Sequence, residues 1–183
     1  MKRLAIIGAG ISGVTSALQL NAKLKIDIFE KSRGTGGRMS TKREPPFIFD
    51  HGTQYFTVKS NEFFNFLKPL YKKNIIKPWS YKFVRIKNNE FIEKKIVNNT
   101  DNHFVGVPNM NSIVKYLSQG FNIYLNTKVK TIEKINQKWQ IVDANNTKYP
   151  GYDWIIFTTP PEQVYSCIPE STAFYRMLEG VKM

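Results

Sequence analysis

Gly8, Gly10 and Gly13, in the run Gly8-Ala9-Gly10-Ile11-Ser12-Gly13, stand at the spacing GxGxxG. Glycine turns are common, and the spacing alone carries little information. Here three conditions accompany it. A short apolar run, Leu4 to Ile7, precedes it, and a helical stripe of Ile11, Val14, Ala17 and Leu18 follows. Glu30 then ends the next segment, Lys25 to Phe29, in which Ile26 and Ile28 alternate with polar neighbours. Gly8 permits a tight turn, Gly10 lacks the Cβ that would block a diphosphate, and Gly13 lets the helix lie close to the strand. The free N–H groups at the helix opening, around Ile11 and Ser12, then face an anion. Glu30 lies 20 residues beyond Gly10. A carboxylate there accepts hydrogen bonds from ribose hydroxyls and repels a 2′-phosphate. The pattern predicts an adenine-dinucleotide site that does not hold NADP.

A second cluster begins next to that acid. Lys31, Arg33, Arg38, Lys42 and Arg43 fall within thirteen positions with no acid among them, interleaved with Gly34-Thr35-Gly36-Gly37. A solvated basic loop is the bland reading. Because the run starts from the ribose-holding residue, it is placed to reach the same diphosphate. Gly37 lets the backbone come close, and Arg38 can fork to phosphate oxygens.

The elements that must position these residues follow from periodicity. Residues 3–29 read as a βαβ unit and 31–46 as loop; Phe47 to Phe49 is a brief strand. Ser60 is placed to cap a helix carrying Phe63, Phe64 and Leu67, which Pro69 is expected to disturb. Tyr81 to Ile86 and Phe91 to Ile96, joined by Asn88-Asn89, read as a hairpin. Met110, Ile113, Val114 and Leu117 form a second helical stripe, closed by Gly120. Beyond it come a strand at Ile123 to Leu125, a meander through Val129 to Ile135 and Trp139 to Val142, and a buried strand at Trp154 to Phe157. The fold class expected is α/β: a Rossmann-like three-layer dinucleotide-binding domain with a β-meander, plus a second, α+β domain. The first is assembled from residues 1–57 and 105–160, the second from 58–104 and 161–183.

Composition narrows the classes. The 183 residues are 42% hydrophobic and 14% aromatic, a globular balance rather than a disordered one. Net charge is +13, yet the basic residues are scattered and no nucleic-acid recognition motif accompanies them, so no nucleic-acid partner is expected. Cys167 is the single cysteine, and no His/Cys spacing suits a metal. The apolar stretch from Leu4 to Leu20 is broken by glycines and lacks a cleavage site, and no run is long enough for a membrane span. A cytoplasmic protein without membrane contact is expected.

The joined run Glu30-Lys31-Ser32-Arg33-Gly34-Thr35-Gly36-Gly37-Arg38-Met39-Ser40-Thr41-Lys42-Arg43 resembles the glycine-arginine motif of flavin amine oxidases, most of all their renalase branch. Phe49-Asp50-His51-Gly52-Thr53-Gln54-Tyr55-Phe56-Thr57 is similar to that branch's next signature. Val105 to Asn111 and Asp153 to Gln163 fit as well, in order along the whole chain. The resemblance implies noncovalent FAD, which makes the first of the two domains, residues 1–57 and 105–160, the FAD-binding domain and the second, residues 58–104 and 161–183, a partial α+β substrate domain. It implies that Ser12, Lys31, Arg38 and Met39 line the ADP and ribityl portion, that Gly52, Gln54 and Tyr55 approach the flavin ring, and that Val129 meets the adenine through its backbone. It further implies oxidation of a small dihydronicotinamide-type substrate, with oxygen as final acceptor. An amine oxidase or desaturase of the same superfamily is an alternative, as is a noncatalytic FAD-binding remnant. Thr53 departs from the family's alanine. Family members also continue well past residue 183, so a front piece of such an enzyme is expected.

No catalytic side chain is identified. His51 lies in the flavin-proximal signature but reads as structural, and His103 reads as a loop residue. Trp79 and Tyr81 suit a wall over a flavin or the packing of the hairpin equally well. Cys167 reads as a small buried hydrophobe. Thr158 to Pro161 mark the exit from the nucleotide domain, where backbone is near enough to touch a cofactor. The oligomeric state is not legible.

Overall fold

The computed structural model describes residues 1–97 and 102–181. Residues 98–101, 182 and 183, which belong to the expected substrate portions, lie outside it. The chain forms two compact units, residues 1–37 with 117–183, and residues 38–116.

The first unit is built on a parallel sheet of four strands in the spatial order Asn122–Tyr124, Lys25–Phe29, Arg3–Ile7, Trp154–Phe157. Helix Ile11–Leu20 connects the first two strands in sequence. An antiparallel meander, Val129–Ile135, Lys138–Asp143 and Lys148–Tyr152, forms a second sheet. Strand period two sorts the residues. Ala5, Ile7 and Phe29 join Val129, Ile132, Ile141, Tyr152, Val164 and Ile168 in one apolar cluster on the meander side. Leu4, Ile6 and Ile28, also buried, point the other way, where the helix supplies buried Val14 and Ala17. Meander, parallel sheet and helix make the three layers of a Rossmann-like α/β fold. Short helices Pro161–Tyr165 and Tyr175–Glu179 follow the last parallel strand.

One member of the sheet breaks its alternation. Asp27 is 2% exposed, in the middle of Lys25–Phe29. Its Oδ1 accepts from Asn122 Nδ2 at 2.7 Å; its Oδ2 accepts from Tyr152 OH at 2.8 Å and Arg3 Nη2 at 3.0 Å. Burial pushes this carboxyl's pKa up, but the three hydrogen bonds and the Arg3 charge outweigh that and hold it below the usual carboxylate value. Arg3 also lies over the Tyr152 ring, 4.4 Å from its centroid. Burial and the Asp27 charge together push the Tyr152 phenol well above its ordinary pKa. The network ties three parallel strands and the meander at one end of the sheet.

Among its described residues the second unit holds three small sheets. Phe56–Thr57 and Ile76–Pro78 pair antiparallel with opposite edges of His103–Gly106. Lys42–Glu44 pairs with Phe47–Phe49, so part of the expected loop is a strand. Tyr81–Lys87 and Glu90–Val97 form the expected hairpin. Asn88 and Asn89 both take positive φ, 50° and 63°, the conformation a two-residue hairpin turn requires. Ser60 caps helix Asn61–Lys72 by accepting from Phe63 N at 3.2 Å. Pro69 does not end that helix. Leu67 and Leu70 are buried on either side of it, and their packing outweighs the lost hydrogen bond. Helix Asn111–Leu117 carries the second predicted stripe, with Met110, Ile113 and Val114 in the core. His103, expected in a loop, begins a strand instead.

Candidate functional site

Strand Arg3–Ile7 runs directly into Gly8, whose φ of +108° lies in the region that disfavours a side chain. The Gly8 N–H donates to Phe29 O at 2.8 Å, which binds the start of the turn to the neighbouring strand. Gly10 is the N-cap of the helix, in extended backbone and with no side-chain capping bond. The N–H groups of Ile11, Ser12 and Gly13 therefore have no partner within the helix and point out of its opening. Gly13 faces the strand end: a Cβ there would lie 2.0 Å from Gly8 O. A Cβ on Gly10 would meet Gly37 Cα at an ordinary 3.9 Å, so packing within the chain does not require this glycine. A cradle that tolerates a side chain sterically, yet has glycine at the anion-facing position, fits a diphosphate at that place.

Glu30 is 7% exposed and held on both oxygens. Oε2 accepts from Ala9 N at 2.8 Å and Oε1 from Ser32 N at 2.9 Å. Its backbone is latched as well, N to Tyr124 O and O from Thr127 N, both at 2.9 Å. Each carboxylate oxygen keeps a further acceptor site, so the group can still accept hydrogen bonds from ribose hydroxyls.

The glycine run after Glu30 returns to the first turn. Gly36 N donates to Ala9 O at 3.0 Å, and Gly10 and Gly36 form a parallel bridge. Lys31 is exposed and donates to Gln163 Oε1 at 3.1 Å. Val129 is buried at the start of the meander; its carbonyl accepts from Cys167 Sγ at 3.4 Å. Gly8, Gly10, Ile11, Ser12, Gly13, Glu30, Lys31, Gly37 and Val129 all belong to the first unit.

Arg38, Met39, Gly52, Gln54 and Tyr55 belong to the second. Gly52 crosses close to Arg38: a Cβ on it would lie 2.1 Å from Arg38 O, and Thr53 N donates to the same oxygen at 2.9 Å. Arg38, Gln54 and Tyr55 are exposed. Behind this segment Asp50 accepts from Thr41 Oγ1 at 2.6 Å and Met110 N at 3.0 Å, joining two of the motif segments. Tyr55 is 43% exposed and packs its ring against Trp79 at 5.1 Å and edge-on to His103 at 5.2 Å. Tyr81 closes the circle, 4.3 Å from Trp79 and 5.7 Å from His103. His51 is exposed and has Ser40 Oγ 3.5 Å from its Nε2.

Thr158 was passed over as a side chain in the sequence. Its Oγ1 lies 3.0 Å from Ile7 O and 3.1 Å from Gly8 O. The signal that could have found it is position: Phe157 registers with Ile7, so the next residue lies beside the glycine turn. Among the described residues no group of acids, histidines and cysteines is arranged to hold a metal ion. No described helix is long and apolar enough to cross a membrane.

Residues 6–70 match the NAD(P)-binding Rossmann-like domain family. Over 176 residues the chain is 27% identical to renalase of Mus musculus, covering 90% of this chain and 48% of renalase. Over 50 residues, 27% of this chain and 10% of the relative, it is 44% identical to a 4,4'-diapophytoene desaturase (4,4'-diaponeurosporene-forming) of Staphylococcus haemolyticus. The fold matches putrescine oxidase with a TM-score of 0.73 at 13% identity, over 97% of this chain and 63% of that one. The chain thus spans about half the length of renalase. On its motifs, its Rossmann-like fold and these matches, the chain is similar to renalase over nine-tenths of its length, and its residues 6–70 carry an NAD(P)-binding Rossmann-like domain.

Proposed function

We propose that this chain holds the ADP half of FAD in an oxidoreductase that oxidises dihydronicotinamide-type substrates. The observation that carries the reading is the paired backbone at Gly10 and Gly36 over an uncapped helix opening, with Glu30 fixed beside it. In this reading the N–H groups of Ile11, Ser12 and Gly13 bind the diphosphate, Glu30 holds the ribose, and Lys31 adds charge. Val129 meets the adenine through its backbone. Arg38 and Met39 line the ribityl portion, and Gly52, Gln54 and Tyr55 approach the ring. Residues 1–57 and 105–160 take the cofactor-holding role; 58–104 and 161–183 belong to the substrate portion. FAD held by these residues would supply the two-electron acceptor, with oxygen as the final oxidant and peroxide as its product. The protein's part is to hold, orient and exclude water.

The substrate class rests on the likeness to renalase across 90% of the chain. A desaturase reading has the 44% identity behind it, but over only 50 residues, 27% of the chain, and is therefore weaker on substrate. The test is spectroscopic. Protein purified with FAD should be yellow, bleach anaerobically with a dihydronicotinamide donor, and regain colour in air with one peroxide per donor. A flavin that no dihydronicotinamide reduces, but an amine or a polyene does, would transfer the chain to another branch. A colourless preparation that takes up no FAD would reject the cofactor role itself.

A further inference from the structure

We propose that Thr158 is a positioning residue for Glu30, acting through the Gly8–Ala9 peptide plane. This deepens the cofactor reading above and rests on it. The Thr158 hydroxyl proton lies between two acceptors, Ile7 O at 3.0 Å and Gly8 O at 3.1 Å. The Thr158 N–H also donates to Ile7 O, at 2.9 Å, so the residue is fixed to the strand end and has only its hydroxyl left to offer Gly8. A trans peptide is planar, with C=O and N–H on opposite sides. Fixing the direction of Gly8 C=O therefore fixes that of Ala9 N–H. That N–H meets Glu30 Oε2 at 2.8 Å. The hydroxyl of Thr158 thus sets the carboxylate that holds the ribose, although the two side chains are on opposite sides of the peptide.

The space around Thr158 belongs to the same arrangement. A Cβ on Gly8 would meet Thr158 Oγ1 at 2.8 Å, and one on Gly13 would meet it at 2.9 Å. The hydroxyl occupies the niche that both glycines leave. Gly8, with φ of +108°, has a wide choice of peptide orientation that no side chain of its own restricts. An outside hydrogen bond has to select one.

The test compares Thr158→Val, which keeps the shape and removes the hydroxyl, with Thr158→Ser, which keeps the hydroxyl. Amide hydrogen exchange of the cofactor-free chain is read at Ala9 and at Ala5 and Ile6 in the adjoining strand. FAD affinity is read by quenching of flavin fluorescence. In Thr158→Val the Ala9 amide should exchange about tenfold faster with Ala5 and Ile6 unchanged, and FAD should bind about tenfold more weakly. Thr158→Ser should stay within about twofold of the parent on both. Should Thr158→Val not fold, Thr158→Ala removes the same hydroxyl and is read in its place. Unchanged Ala9 exchange without the hydroxyl would overturn the positioning role. A parent chain that ignores FAD while its Ala9 exchange responds to Thr158→Val would instead reject the cofactor reading and leave the coupling standing.

Discussion

The carbonyl oxygen of Gly8 occupies the place where a side chain on Gly13 would begin, 2.0 Å from an ideal Cβ. Gly10, three residues earlier, has no such neighbour: its Cβ would find Gly37 Cα at 3.9 Å. Packing within the chain thus requires one glycine of the motif and not the other, and in the proposed reading it is the ligand that requires Gly10. Gly13→Ala should destabilise the fold by about 1–3 kcal/mol, because backbone must move to admit the methyl. Gly10 has ordinary negative φ, so Gly10→Ala should leave the denaturation midpoint nearly unchanged while weakening FAD binding at least about tenfold. Urea unfolding and flavin titration of both variants separate the two effects. Equal loss of stability in both would contradict the assignment.

Glu30 serves the chain before it serves any ligand. Its two oxygens accept from Ala9 and Ser32, the first residue inside the glycine turn and the first steps of the basic loop. Glu30→Gln places an N–H₂ against one of these donors. The expected outcome is a loss of about 1–3 kcal/mol on urea unfolding, together with weaker FAD binding. Glu30→Asp, too short to reach both donors, should lose FAD while keeping a charge. A Glu30→Gln variant as stable as the parent would show that the two backbone bonds are not made in solution.

The βαβ unit and its glycines were legible because each is a local pattern: an apolar run, a turn residue, a 3.6-residue stripe. The hairpin turn at Asn88-Asn89 was legible for the same reason, since asparagine accepts positive φ. What the sequence did not disclose depends on pairing across long separations. Phe56–Thr57, Ile76–Pro78 and His103–Gly106 are strands of two to four residues, defined by their partners rather than by any periodicity of their own. Helix Asn61–Lys72 continues through Pro69 because Leu70 is buried, which local chemistry argues against. Asp27 looked like the polar half of an alternation, and only Arg3, Asn122 and Tyr152 together reveal it as an interior charge. Thr158 is 150 residues from the carbonyl it faces. Spacing within a motif cannot reveal such a neighbour.

That interior charge gives the stability a pH dependence of known sign. The Asp27 carboxyl is held below its usual pKa in the folded chain, so the unfolded chain binds its proton more readily. Its contribution is complete above pH about 4 and is lost as pH falls through the depressed folded value. Asp153, hydrogen-bonded by Lys138 and by Arg3 N, is shifted in the same direction and adds to the slope. Asp27→Ala leaves Arg3 and Tyr152 without their partner and should cost about 3 kcal/mol at neutral pH. The difference between parent and variant should shrink below pH about 4 in urea melts. A difference that grows on acidification would reverse the sign of the argument.

The second unit presents apolar side chains to solvent from two-stranded pieces that have little else to pack on. Phe47, Ile48 and Phe49 are 61%, 56% and 51% exposed; on the longer hairpin Phe91 is 80% and Ile86 59% exposed. Isolated two-stranded hairpins are marginal in water, and contiguous apolar surface of this kind promotes association. The 183-residue chain by itself should therefore bind a hydrophobic dye in its native state and self-associate as concentration rises. Phe91→Lys together with Ile86→Thr should reduce both, without altering the first unit's urea transition, because neither side chain belongs to that unit. If the parent chain is monomeric and dye-free at concentrations where these variants are indistinguishable from it, these faces are stable against water as they stand.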